Sequence, residues 1–213
     1  MTTRTVIPSA QLAVWSPFVR VGETIATPRR RFSAHTHERQ EVLIYLIEGA
    51  AGHSAGGGPP EDLEDGSVLF LTAISSVPHV VNPRPGRATR WFSVVTELPA
   101  DSTGDGSRQI YRPTPTGVQP DGTNVTRLLG EGSMVRPRSG LEVTDVLFSE
   151  AGTAFRRVGP RHRSVFYALA GRGAVDNLPL EAGEAALVEN SAAVSLSGNP
   201  GFRVIHATAP FFG

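Results

Sequence analysis

The stretch AHTHERQEVLIYLIEG, residues 34–49, decides the reading of this chain. Its second half, Glu41 to Ile47, is a short apolar run rich in β-branched and aromatic residues, closed by Glu48-Gly49. Such a run bounded by a glycine reads as a buried strand. Its first half carries His35 and His37, one residue apart. On a strand, side chains at i and i+2 leave the same face, so the two imidazoles can converge on one point.

Moving outward, the same texture repeats. VLFL from Val68, WFSVV from Trp91, VTRLL from Val125, LEVTDVLF from Leu141, VFYALA from Val165, AALVE from Ala185 and FRVIHA from Phe202 are short and separated by Gly or Pro. Glycine (23) and proline (17) are spread along all 213 residues, so they punctuate many short segments and form no low-complexity block. LEVTDV alternates with period two, as a half-buried strand does. No stretch sustains a helical period with caps at both ends. The expectation is an all-β chain of two tandem jelly-roll-like barrels. The turn-rich ADSTGDGSRQ from Ala100, with Pro113 and Pro115 after it, marks the boundary, giving domains 1–113 and 114–213. A strand closed by glycine followed by a strand opened by glycine occurs in both halves (Glu48-Gly49 then DGSVLFL from Asp65; Ala170-Gly171 then AGEAALV from Ala182), which suggests an internal duplication.

Composition narrows the chemistry. Cysteine is absent, which excludes disulfides, thiolate metal sites and cysteine nucleophiles. Twenty basic residues, all arginine, balance twenty acidic ones, so no general electrostatic pull toward nucleic acid or an anionic membrane is expected. The first twelve residues lack the apolar core of a signal peptide, and no segment has the roughly 20 apolar residues that cross a bilayer; a cytoplasmic protein is expected. With thiolates excluded, metal chemistry falls to six histidines. His79, in SVPHVV after the glycine-opened strand, is the candidate third ligand beside His35 and His37. Neutral imidazole suits iron, nickel, copper or zinc. Read without the cluster, the same three residues are solvated loop and turn histidines. Arg29-Arg30-Arg31 reads either as an anion-binding patch beside the metal mouth or, in a chain of zero net charge, as a solvated loop, the preferred reading. LAGRGAV from Leu169 has no helix after it and so lacks the amide donors of a phosphate loop.

HTHERQEVLIYLIEG from His35 resembles the first cupin motif, and DGSVLFLTAISSVPH from Asp65 resembles the second motif of the pirin branch. WFSVVTELP from Trp91, VTRLLGEGSMV from Val125 and SGLEVTDVLFSEAGTAF from Ser139 resemble later pirin segments, less specifically. The resemblance implies a bicupin with one metal site, in the first domain, at His35, His37 and His79. It implies a divalent metal, iron foremost, with nickel, manganese, copper or zinc as alternatives, and a quercetinase-like dioxygenase acting on a small organic substrate. Other implied roles are a metal- or redox-sensing regulator with a protein partner, and a non-oxidative isomerase or cyclase. Pirins carry a glutamate ligand two residues after the third histidine; Val81 stands there in this chain. Glu41, which in many other cupins is a ligand or catalytic base, is then the candidate catalytic carboxylate, because it shares the parity of His35 if the strand runs without interruption; a surface ion pair is the competing role. His53 reads as a polar loop residue, and His162 as a lone residue in the place of the first motif of the second half. His206 reads as packed or hydrogen-bonded, and the second domain as metal-free.

Overall fold

The computed structural model describes residues 1–10 and 12–211, which form two compact units, Met1–Arg112 and Pro113–Gly213. In the first, the strands are β1 (Thr2–Ile7), β2 (Phe18–Ala26), β3 (His35–His37), β4 (Gln40–Glu48), β5 (Ala50–Ala55), β6 (Glu61–Glu64), β7 (Val68–Ala73), β8 (Val77–Pro83), β9 (Thr89–Glu97) and β10 (Ser107–Tyr111). In the second they are β11 (Pro115–Val118), β12 (Thr123–Leu129), β13 (Glu142–Phe148), β14 (Gly152–Arg157), β15 (His162–Ala170), β16 (Arg172–Val175), β17 (Leu178–Glu181), β18 (Ala185–Glu189), β19 (Ala193–Gly198) and β20 (Arg203–Pro210). Among the described residues there is no helix long and apolar enough to cross a membrane.

Each unit is a six-stranded sheet with a four-stranded sheet. The first has β1-β2-β9-β4-β7-β10 and β3-β8-β5-β6; the second has β11-β12-β13-β20-β15-β18 and β14-β19-β16-β17. The run β2-β9-β4-β7 has the same connectivity as β13-β20-β15-β18, and β3-β8-β5-β6 the same as β14-β19-β16-β17. The duplicated glycine-bounded strand pair is therefore part of a repeated topology. The glycines have a physical reason. Gly49 and Gly171 have φ of +95° and +74°, and a Cβ on either would lie under 3 Å from backbone of the neighbouring strand, at Thr89 and Phe202 respectively.

The first core fills from one face of the large sheet and the facing strands: Val42, Ile44, Leu46, Leu69, Leu71, Trp91 and Val95 meet Ala51, Leu63 and Val81. The second is built likewise from Val146, Phe148, Phe166, Phe202 and Val204 against Val194 and Leu196. His206 extends this second interior. Its ring lies flat on Phe166, centroids 4.2 Å apart, and its Nε2 sits 3.2 Å from Ser164 Oγ, matching the packed, hydrogen-bonded role expected of it.

Burial, aided by the charge of Arg156, lowers the pKa of His206 to about 3. An unfolded chain protonates it near 6.5, so below that pH the unfolded state binds the extra proton. The stability that neutral His206 contributes is complete above about pH 6.5 and is lost as pH falls toward 3. The expected slope is of order 1 kcal/mol per pH unit. Urea midpoints at pH 7 and pH 4.5 check this: the fall should be visibly smaller in His206→Gln than in the native chain. An identical fall in both would remove His206 as the cause.

Candidate metal centre

Three backbone features bring the histidines together. β3 pairs antiparallel with β8 so that His35 lies directly opposite His79, with His37 opposite Val77. Cross-strand partners share a face, and His37 shares the face of His35 by the two-residue period. One ligand atom from each ring therefore falls within 4.8 Å of the others. Ring centroids are 4.5 to 5.0 Å apart, and His79 Nε2 is 3.1 Å from His35 Nε2.

The outer nitrogens of two rings have partners. His37 Nδ1 lies 2.6 Å from Gln40 Oε1, an acceptor, so Nδ1 carries the proton and Nε2 keeps its lone pair. That Nε2 is buried with no hydrogen-bond partner. His79 Nδ1 lies 3.2 Å from His53 Nε2, so a proton on Nδ1 donated to His53 leaves the Nε2 lone pair of His79 aimed at His35. His53 Nδ1 faces Glu61 Oε2 at 3.9 Å, and Glu61 is itself paired with Arg108 at 2.9 Å. Outer partners of this kind fix ring tautomer and direction at metal-binding histidines.

The electrostatics agree with neutral rings. Burial, aided by the neighbouring imidazoles, lowers the pKa of His79 to about 3. Burial also lowers His53 to about 4 and His37 by a smaller margin, the latter opposed by Gln40 and reinforced by His35 and Arg20. The orphaned buried Nε2 of His37, with the imidazoles of His35 and His79 beside it, forms a donor set that fits a divalent ion preferring imidazole.

Two residues stand elsewhere than the sequence suggests. Glu41 does not join the histidines. The strand is interrupted between β3 and β4, where Arg39 adopts φ +55°. The interruption resets the parity: Val42 and Ile44 line the cavity of the three histidines, together with their cross-strand partners Val95 and Ser93. Glu41 points to the other face, fully buried, where its Oε1 accepts from Thr72 Oγ1 at 3.2 Å. His53 is no loop residue. It lies on β5, fully buried, and its register opposite Val81 puts it beside His79. A single large polar residue in a strand of otherwise small residues, AAGHSA, is the signal that marks it.

In the second unit, β14 and β19 are the topological counterparts of β3 and β8, and neither carries a histidine. His162 opens β15, the counterpart of β4, and not the counterpart of β3; its Nδ1 lies 2.8 Å from the Pro160 carbonyl.

The three histidines line a cavity of about 450 Å³. Phe32, Val42, Ile44, Val81, Trp91 and Val95 give it an apolar wall, with Phe32 edge-on to Trp91 at 5.6 Å. Val81 is 6 % exposed and packed in the core, so its position supplies wall and no ligand. A concave, largely apolar cavity with convergent polar groups is the usual form of a small-molecule site.

No protein-family profile and no curated protein sequence matches the chain. Solved structures do. A Geobacillus kaustophilus protein superposes with TM-score 0.85 at 18% identity, covering 98% of this chain and 89% of that one. Quercetin 2,3-dioxygenase from Acinetobacter baumannii superposes with TM-score 0.84 at 20% identity, covering 97% and 73%. The bacterial pirin YhhW from Escherichia coli, in complex with nickel(II), superposes with TM-score 0.83 at 14% identity, covering 99% and 92%. At such identities the shared property is the fold. This chain has the all-β, two-barrel cupin architecture of the pirin and quercetin 2,3-dioxygenase structures it superposes on over nearly its whole length.

Proposed function

We propose that this chain is a metal-dependent cupin enzyme whose first barrel binds one divalent ion through His35, His37 and His79, and that it oxidises a small organic substrate in a quercetinase-like reaction. The observation that carries the reading is the buried, partnerless Nε2 of His37 beside two further imidazole nitrogens, in the wall of a largely apolar cavity. The pirin resemblance, with a nickel-bound pirin and a quercetin 2,3-dioxygenase among the structural neighbours, supports the same reading. When bound, the ion supplies Lewis acidity and open positions for substrate. The protein's own groups do the rest. Gln40 and His53 hold two of the rings in the donor tautomer, Phe32 and Trp91 form an aromatic wall for a planar substrate, and Val42, Ile44, Val81 and Val95 exclude water.

The same geometry weighs between chemistries. Among the described residues no Asp or Glu lines the cavity, so a reaction that needs a carboxylate base is poorly served, which disfavours the isomerase and cyclase readings. Iron and nickel both suit three imidazoles. Oxygen uptake by metal-loaded protein over a flavonol and catechol panel tests the enzyme, with His35→Ala as control. Uptake that needs the metal and disappears in the variant is expected. No turnover from fully metallated protein would replace the enzyme with a metal-binding regulator.

Val81 gives a second test. It is two residues after His79 on β8 and lines the same cavity. Val81→Glu places a carboxylate on the histidine face and adds an anionic ligand to a site that has only neutral ones. Metal affinity should rise at least about tenfold, some 1.4 kcal/mol, while the metal-free protein loses stability because Val81 leaves the core. Competition against a chromophoric chelator measures it, with Val81→Gln as the uncharged control. Unchanged affinity would move the ion away from this face.

A further inference from the structure

Most arginines of the first unit whose contacts are defined meet an acid or a carbonyl. Arg84, Arg87, Arg90, Arg108 and Arg112 pair with Asp62, Asp65, Glu23, Glu61 and Glu64, and Arg39 and Arg31 donate to backbone carbonyls. Arg20 and Arg30 differ. Both line the histidine cavity, neither has a carboxylate partner among the described residues, and Arg30 lies over the Phe32 ring at 5.4 Å. Arg20 reaches the cavity from β2, on the large sheet. Arg30 comes from the loop before β3, the middle of the Arg29-Arg30-Arg31 run. The run is thus divided: Arg31 is tied to Pro83, while Arg30 lines the cavity.

The charge balance of the cavity is one-sided. Among the described residues its lining includes two arginines, three histidines and no acid, and Val81, two residues after His79, adds an apolar side chain. A neutral ligand would leave both arginines without an anion, whereas an anionic one would gain charge-assisted, planar hydrogen bonds from them. We infer that the cavity selects an organic acid: a molecule with an apolar or aromatic body against Phe32 and Trp91, and a carboxylate held by Arg20 and Arg30. As a statement about substrate this rests on the proposed function above; as a statement about binding it needs no metal.

The test is calorimetric titration of 2-naphthoate and its uncharged analogue 2-naphthamide into the full chain, metal-free and nickel-loaded. The carboxylate should bind at least about tenfold more tightly than the amide in both forms. The preference should shrink with added salt. In Arg20→Gln/Arg30→Gln it should fall to within about twofold. Arg20→Lys/Arg30→Lys, which keeps the charge and controls for loss of fold, should retain part of it. Equal affinity for the two probes, binding of neither, or a preference untouched by the glutamine pair would each overturn the inference. So would a preference that appears only with nickel bound, since the ion and not the arginines would then be the selector. A preference with no nickel uptake would uphold it while removing the metal reading.

Discussion

His79→Ala should abolish metal uptake. The native chain should bind about one nickel or iron per molecule, and the variant should retain essentially none when protein and metal are equimolar. The expectation follows from position. His79 is the central ring of the cluster, within 4.8 Å of both other imidazole centroids and in contact with His53 behind it, and it is 2 % exposed. Its removal leaves two neutral ligands on β3, an exposed and a nearly buried one, with no carboxylate in the cavity to compensate. A fall of at least about 100-fold in affinity is expected, close to 2.7 kcal/mol. Loss of the supporting ring in His53→Ala should cost less, about 10- to 100-fold, because the lone pairs remain and only the orientation of His79 is released. Metal analysis after gel filtration, with calorimetric titration, reads both. The melting temperature gives an independent readout: an ion at a hundred times its Kd stabilises the native state by about 2.7 kcal/mol, and that increment should vanish in His79→Ala. Full metal stoichiometry in the variant would place the ion at another site.

The largest stability effect is expected in the second unit. Phe202 is fully buried, sits 5.8 Å from Phe148 centroid to centroid, and belongs to the core with Phe166, Val204 and Leu196. The backbone is shaped around its ring. Gly173 and Gly198 flank it, and a Cβ on either would overlap the ring of Phe202. Phe202→Ala removes the side chain that these glycines accommodate, and well-packed strands on both sides can only partly collapse into the space. A loss of about 3–5 kcal/mol is expected, a large share of the roughly 5–15 kcal/mol that stabilises a domain. The reverse substitution checks the geometry. Gly173→Ala should be strongly destabilising in the native chain and less so beside Phe202→Ala, a non-additive pair. Urea unfolding of the four proteins gives the coupling; strict additivity would mean that Gly173 and Phe202 do not share that space.

Both predictions draw on features of unequal legibility. Short Val-, Phe- and Tyr-rich runs separated by glycine and proline identified the strands, because a β-chain must turn often and only certain residues allow tight reversals. The His-x-His spacing put two imidazoles on one face, since that period is local backbone geometry. Glu41 escaped the same reasoning for an equally local cause. Parity can be counted only while a strand continues, and Arg39 at φ +55° breaks it two residues before the glutamate. His53 and Arg20 escaped for a different cause, whereas Arg30 belongs to the run whose anion-binding reading the sequence offered and ranked second. The roles of His53 and Arg20 depend on strand registers between residues tens of positions apart, His53 opposite Val81 and Arg20 opposite Val95.

By itself, then, the sequence determined the all-β class, the repeated glycine-bounded strand pair and the three histidines, because turn chemistry and the two-residue period are written in consecutive residues. Only the tertiary structure decided that His35 faces His79, that His53 stands behind it, that Glu41 turns away and that Arg20 and Arg30 meet one cavity. Those facts follow from which strands pair and in what register, and pairing is set by the burial of whole faces against one another rather than by any single stretch of chain.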